Sequence, residues 1–207
     1  MKILALGAHP DDIENGCGAT LSKMVRTKEA EVTARVFTQC RDAVPKGWSE
    51  NTLLNEFALA MKVLGVTDAS AYDYDNKALY VDRQAILDIL YAVQDDFDLV
   101  FCPSSFNSNQ DHRTVFSEAR RAFRGTSILG YTTPSSDYGF AQAAIYSVFT
   151  PYDLEIKVKA LRCYKSQFEL KRPYFGDEYT RSLASVTGTE CWHPLAEKFE
   201  NIRFVMR

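Results

Sequence analysis

Residues 2–21, KILALGAHPDDIENGCGATL, constrain the fold of this chain more than any other stretch. Ile3 to Leu6 is a short apolar run of the kind that forms a buried strand, and Gly7 and Ala8 close it. His9, Pro10, Asp11 and Asp12 follow in four consecutive positions, then a glycine-rich turn with Gly16 and Gly18, then a helical pattern over Ala19 to Val25. An imidazole beside two adjacent carboxylates makes a poor core, because buried charge must be compensated. It suits a divalent metal held at the carboxyl edge of a parallel sheet, where open α/β proteins bind their ligands. One such loop can offer His9 and one aspartate to a single ion while the other aspartate faces a water. The residues alone leave open which of Asp11 and Asp12 does which.

The rest of the chain alternates strands with helices. Glu31 to Thr38 reads as a second strand, β-branched and largely apolar. A polar stretch from Gln39 to Gly47 is long enough to reach over a site. Ser49 is placed to cap a helix carrying Leu53, Phe57, Ala60, Met61 and Leu64 on one face, with Gly65 as its stop. Asp82 opens another helix, with Ile86, Leu87, Leu90 and Val93 on one side. Asp98 to Cys102 is a short central strand stopped by Pro103, and Gln110 to Phe123 an amphipathic helix. Ser127 to Tyr131 and Ala144 to Phe149 read as strands, and Asp153 to Phe168 as one long helix. Lys171 to Arg207 reads as an irregular C-terminal tail lying near the site. With no internal repeat or linker, the alternation predicts one α/β domain over residues 1–207. Its sheet is a Rossmann-like open one, mostly parallel, with helices on both faces and right-handed crossovers.

A second chemical element follows the Asp98 to Cys102 strand: PSSFNSNQDHRTV, residues 103–115. It carries Asp111 and His112 from a strand's carboxyl end into a helix start. In a doubly wound sheet that edge is shared with the first loop, so His9, one of the two aspartates and His112 can converge on one ion. Two histidines and a carboxylate form a donor set used by hydrolytic zinc enzymes, which keep a further position for water. Zinc lowers the pKa of that water to about 7. Iron(II) is an alternative, because nitrogen and carboxylate donors separate the two metals poorly.

The formal charge of −3 excludes the basic footprint of a nucleic-acid or anionic-membrane binder. No run approaches the length of a membrane span. The N-terminus enters a strand at once, without a leader pattern. The five cysteines show no CxxC spacing, which predicts reduced thiols and a cytoplasmic setting.

AHPDDIE followed by glycines, with a later QDH, resembles the LmbE-like or PIG-L family of zinc-dependent de-N-acetylases. ENTLLNEFALAMKVLG, RQAILDIL, DLVFCPSS, QDHRTV, ILGY, KVKALRCYKSQ, KRPY and LAEKF are similar to segments met in the same order in that family, so the likeness spans most of the chain. The resemblance implies His9, Asp12 and His112 as metal ligands and Asp11 as the general base. It implies that Asp111 orients a ligand histidine. It also implies a small N-acetylated sugar as substrate, free or on a nucleotide or lipid carrier, and it is compatible with a homo-oligomer.

The departures from the family pattern matter. Many relatives read Asp-x-His-x-Asp-His in the second loop, where this chain has Asn107 and Asn109, and carry a Glu where it has Thr132. The histidine missing at 109 is one that relatives use on the oxyanion. Asn109 can donate a hydrogen bond but carries no charge. His193 is a candidate to fold over the site and supply the missing cation. Arg41, Lys77 and Tyr131 are candidates for binding the substrate, and Tyr138 and Trp192 for stacking on a sugar. Glu56 and Glu197 read as structural anchors. A dinucleotide site is disfavoured, because GCGATL lacks the third glycine of GxGxxG and two acids beside it would repel a pyrophosphate. The rival to an enzyme is a binding or regulatory protein that keeps the fold and metal but has lost turnover.

Overall fold

In a computed structural model of the protein, described here for residues 1–134, 136–137 and 144–206, seven strands form one sheet in the order β3-β2-β1-β4-β5-β7-β6. Strands β1 (Lys2–Gly7), β2 (Glu31–Thr38), β3 (Asp68–Tyr74), β4 (Leu99–Pro103) and β5 (Ser127–Tyr131) pair in parallel. β7 (Ala196–Arg203) returns antiparallel between β5 and β6 (Ala144–Val148). The order reverses between β1 and β4, and the loops that leave those two strands flank the crevice this creates.

Alternation along β1 divides the core. Ile3 and Ala5 pack toward α1 (Asp12–Arg26), α2 (Thr52–Leu64) and α5 (Pro151–Leu161). Leu4 and Leu6 pack toward α3 (Arg83–Tyr91) and α4 (Gln110–Ala122). Helices thus cover both faces of a mostly parallel sheet, as the sequence predicts, and among the described residues no helix is long and apolar enough to cross a membrane.

Four expectations are corrected. The Gly16–Gly18 segment is not a turn: α1 starts at Asp12 and runs through it, with a break in helical geometry at Cys17. Gly16 is required by close approach, since a Cβ there would stand 2.1 Å from the ring of Tyr131. Second, α2 begins after Asn51, not Ser49, whose hydroxyl only supports Asn51 N–H at 3.3 Å. Third, the long helix after Asp153 is two: α5 stops at Leu161, and α6 (Lys165–Glu169) is held separately because Glu56 accepts both Ser166 N–H (2.9 Å) and Ser166 Oγ–H (2.6 Å). Fourth, the C-terminal tail is ordered into α7 (Asp177–Glu190) and β7. The half-exposed edge strand β3 has no strong apolar run, and the sequence does not predict it.

Candidate active site

The turn after β1 is built around Asp12. Its Oδ2 accepts the backbone N–H groups of Ala8 (2.9 Å) and His9 (2.8 Å), folding the turn back on the first residue of α1. Asp11, immediately before, adopts φ 97°, a left-handed conformation rare for a residue with a Cβ. Such a conformation costs of order 1–3 kcal/mol and persists where its surroundings enforce it. Here Asn15 donates from both its backbone N–H (3.0 Å) and Nδ2 (3.1 Å) to Asp11 O. After β4, Asn109 caps α4, its Oδ1 accepting from Asp111 N–H and His112 N–H.

These turns bring three donors together. His9 Nδ1 lies 3.1 Å from His112 Nε2 and 3.5 Å from an Asp12 oxygen, and His112 Nε2 lies 3.1 Å from Asp12 Oδ1. Ligands of a tetrahedral zinc, with bonds of about 2.0–2.1 Å, stand roughly 3.3 Å apart. The far nitrogens fix the tautomers. His9 Nε2 faces Asp111 Oδ2 at 3.0 Å, and His112 Nδ1 faces Asn107 Oδ1 at 3.1 Å. Both acceptors favour a proton on the far nitrogen, so two imidazole lone pairs and a carboxylate oxygen point at one small space. Such a donor set fits a divalent cation. Burial alone would pull His9 down, but the Asp12 and Asp111 carboxylates outweigh it and raise its imidazole well above the ordinary range, so a cation and a proton compete for the His9 Nδ1 lone pair. Burial works against Asp12's charge as well, and the two histidines prevail, keeping it well below the carboxylate range.

Asp11 differs from its neighbour. Its carboxylate has no hydrogen-bond partner among the described residues and lines a cleft of about 470 Å³ over the triad. Burial, then the charge of Asp12, pushes it well above the usual carboxylate range, against a smaller pull from His9 and Arg172. Asp111 is the expected second support. Besides His9 it accepts Lys77 N–H (2.6 Å) and Leu79 N–H (3.2 Å), and the His9 contact and these donors hold it low despite burial. Asn109 also lines the cleft, and its Nδ2 has no protein partner among the described residues.

Other candidates fall elsewhere. Arg41 is paired with Asp73 and Gln39 and does not line the cleft. Lys77 stands at the rim, but its ammonium is taken by Asp42 at 2.8 Å. Tyr131 is fully buried, its hydroxyl donating to Leu6 O at 2.7 Å, so it belongs to the core. His193 is exposed on the turn after α7, tied by its backbone N–H to Gly188 O (3.0 Å), and is not among the residues lining the cleft. Trp192, on the same turn, is 96 % exposed, and Tyr138 lies outside the described residues.

The structure adds residues that sequence reading passes over. Asn107, read as a loss, presents Oδ1 to His112 and donates from Nδ2 to Thr133 Oγ1 (2.8 Å) and Asp137 Oδ2 (2.7 Å). Thr133 Oγ1 lies 3.2 Å from His112 Nδ1. Arg172 and Tyr174, within the KRPY segment, form part of the cleft wall. KRPY is one of the family-like segments, but the sequence alone gives its arginine and tyrosine no role at the site.

Comparison with known proteins identifies the family and the fold. Residues 4–123 match the PIG-L family, described as GlcNAc-PI de-N-acetylase. A curated relative from Escherichia coli (strain K12), "Uncharacterized deacetylase YaiS", is 30 % identical over 175 residues, covering 79 % of this chain and 90 % of its own length. Among solved structures, N,N'-diacetylchitobiose deacetylase from Pyrococcus horikoshii superposes with a TM-score of 0.75 at 22 % identity, over 96 % of this chain and 82 % of that one. The conserved protein TT1542 from Thermus thermophilus gives 0.80 at 20 % identity, over 99 % and 96 %.

Proposed function

The chain belongs to the PIG-L family, and from that premise we infer that it is a metal-dependent hydrolase that removes an N-acetyl group from an amino sugar. The observation that carries this reading is the convergence of two imidazole lone pairs and one carboxylate oxygen beside a separate, unpartnered acid. His9, Asp12 and His112 would hold the cation, zinc or iron(II), with Asp111 and Asn107 fixing the two rings. A cation bound there would supply a Lewis acid for the acetyl carbonyl and lower the pKa of water to about 7.

The chain's own residues do the remainder. Asp11, held apart from the ion's ligands by its left-handed backbone, accepts a proton from the attacking water. As the water oxygen adds to the acetyl carbon, the carbonyl electron pair moves onto its oxygen. When that pair returns, the C–N bond breaks, acetate departs, and Asp11 returns its proton to the amine nitrogen. A base whose charge is disfavoured by burial holds that proton between the two steps. Asn109 Nδ2 is the one oxyanion donor read from the sequence that stays in the cleft.

The test is release of acetate and free amine from N-acetylglucosamine and its nucleotide- and lipid-linked forms by the metal-loaded protein. Turnover is expected for wild type, with Asp11→Asn losing about 100- to 10,000-fold while keeping its metal. Metal-loaded wild type that is inert across the panel would favour the binding-protein alternative.

A further inference from the structure

Amide hydrolysis places a negative charge on the carbonyl oxygen, and a site that speeds it holds donors already aimed there. In this cleft the obvious sources are spent or elsewhere: Lys77 is bound to Asp42, His193 is outside, and Asn109 is neutral. Arg172 is different. Arg26, Arg83, Arg162 and Arg181 are each matched to a carboxylate, at Asp153, Glu118, Asp177 and Glu155, while Arg113, Arg120, Arg124 and Arg203 have no carboxylate in salt-bridge range among the described residues but lie away from the cleft. Arg172 is half-buried in the cleft wall and has no carboxylate in salt-bridge range among the described residues. Asp11 and Arg172 line the same cleft.

The local chain explains how that cation is held. Pro173 starts a tight turn over Pro173–Phe175, and the fully buried Phe175 ring pins it against Tyr164 (5.8 Å) and Phe168 (5.7 Å). Arg172 Nη1 donates to the Tyr174 hydroxyl at 2.8 Å. The phenol oxygen thus accepts from a cation, which leaves its own O–H to donate and makes it a stronger donor. A partly desolvated guanidinium without a counter-ion is costly unless an anion arrives.

We propose that Arg172 N–H and the Tyr174 hydroxyl are the donors that receive the oxyanion of the acetyl group during hydrolysis, from the wall facing Asp11. The inference rests on the deacetylase reading above. As water adds to the acetyl carbon, the carbonyl oxygen takes up the displaced π pair and accepts both hydrogen bonds. When the C–N bond breaks, the charge leaves that oxygen and both donors keep their protons throughout.

The experiment compares wild type with Arg172→Ala, Arg172→Lys and Tyr174→Phe. It reads kcat and KM for N-acetylglucosamine, and affinity for a methylphosphonamidate of glucosamine, whose tetrahedral P–O⁻ stands in for the oxyanion. Arg172→Ala is expected to lose about 100-fold or more in kcat with KM little changed. Phosphonamidate affinity should fall in parallel with kcat/KM, and added guanidinium should restore part of the rate. If Arg172→Ala does not fold, Arg172→Lys and Tyr174→Phe carry the same comparison, each with a smaller parallel loss. Unchanged kcat and phosphonamidate affinity would overturn the proposal, as would a loss confined to KM for anionic substrates. Metal-loaded wild type that releases no acetate fails the deacetylase reading first, and the inference with it.

Discussion

Single hydrogen bonds decide which nitrogens in this site are free. Asp111 takes the far nitrogen of His9 and Asn107 the far nitrogen of His112, so each ring turns its lone pair toward Asp12. Asp111→Asn keeps the size but brings an NH₂ group against one of three donors, His9 Nε2, Lys77 N or Leu79 N. We expect that variant to bind zinc about 10- to 100-fold more weakly in a chelator competition, with no comparable change for Arg41→Ala at the unconnected Asp73 pair. Equal affinities would show that Asp111 does not orient the ligand. His9, Asp11, Asp12 and His112 are legible because they lie in two short contiguous motifs. Asn107 and Arg172 are not: their roles depend on which neighbours fold against them, and neither residue type announces that. His193 misleads for the same reason, since the tail's path around α7 decides that it faces solvent.

At the scale of elements, α1 shows how a broken helix is repaired. Tyr131 packs against Gly16, and the helix loses its regular geometry at Cys17. The break leaves backbone groups to be satisfied elsewhere. Glu197 of β7 accepts the N–H groups of Ala19 (3.1 Å) and Thr20 (2.8 Å), and Lys157 of α5 donates to Asn15 O (2.7 Å). The two side chains pair with each other at 2.7 Å, almost wholly buried. Glu197→Ala strands Lys157 and two amides together, so denaturant unfolding should show a loss of about 3–5 kcal/mol. A loss below ~1 kcal/mol would mean the kink is held by other contacts. Glu197 is legible as an anchor in the LAEKF segment, and β1, β2, β4 and β5 are legible from their apolar runs. α7 and β7 are not, because DEYTRSLASVTGTE and AEKFENIR mix charge with small polar residues and show no clean period. What orders them is tertiary: β7 has a strand on each side, and its Lys198 reaches Glu190 at the end of α7.

For the molecule as a whole, topology makes the site. The strand order reverses between β1 and β4, so residues 9 and 112, 103 positions apart in sequence, meet with ring centroids 4.9 Å apart. An α/β alternation with motifs at two strand ends is enough to foresee that meeting. The antiparallel closure by β7 and β6 and the cleft wall from the KRPY turn are not foreseeable in that way, since both depend on how the last third of the chain packs. Activity of this site requires His9, Asp12 and His112 to share one cation. The direct measurement is metal per chain, by elemental analysis after zinc loading and exhaustive dialysis, for wild type and His112→Ala. We predict one zinc per wild-type chain and almost none in the variant. Equal zinc content in both, or none in wild type, would contradict it.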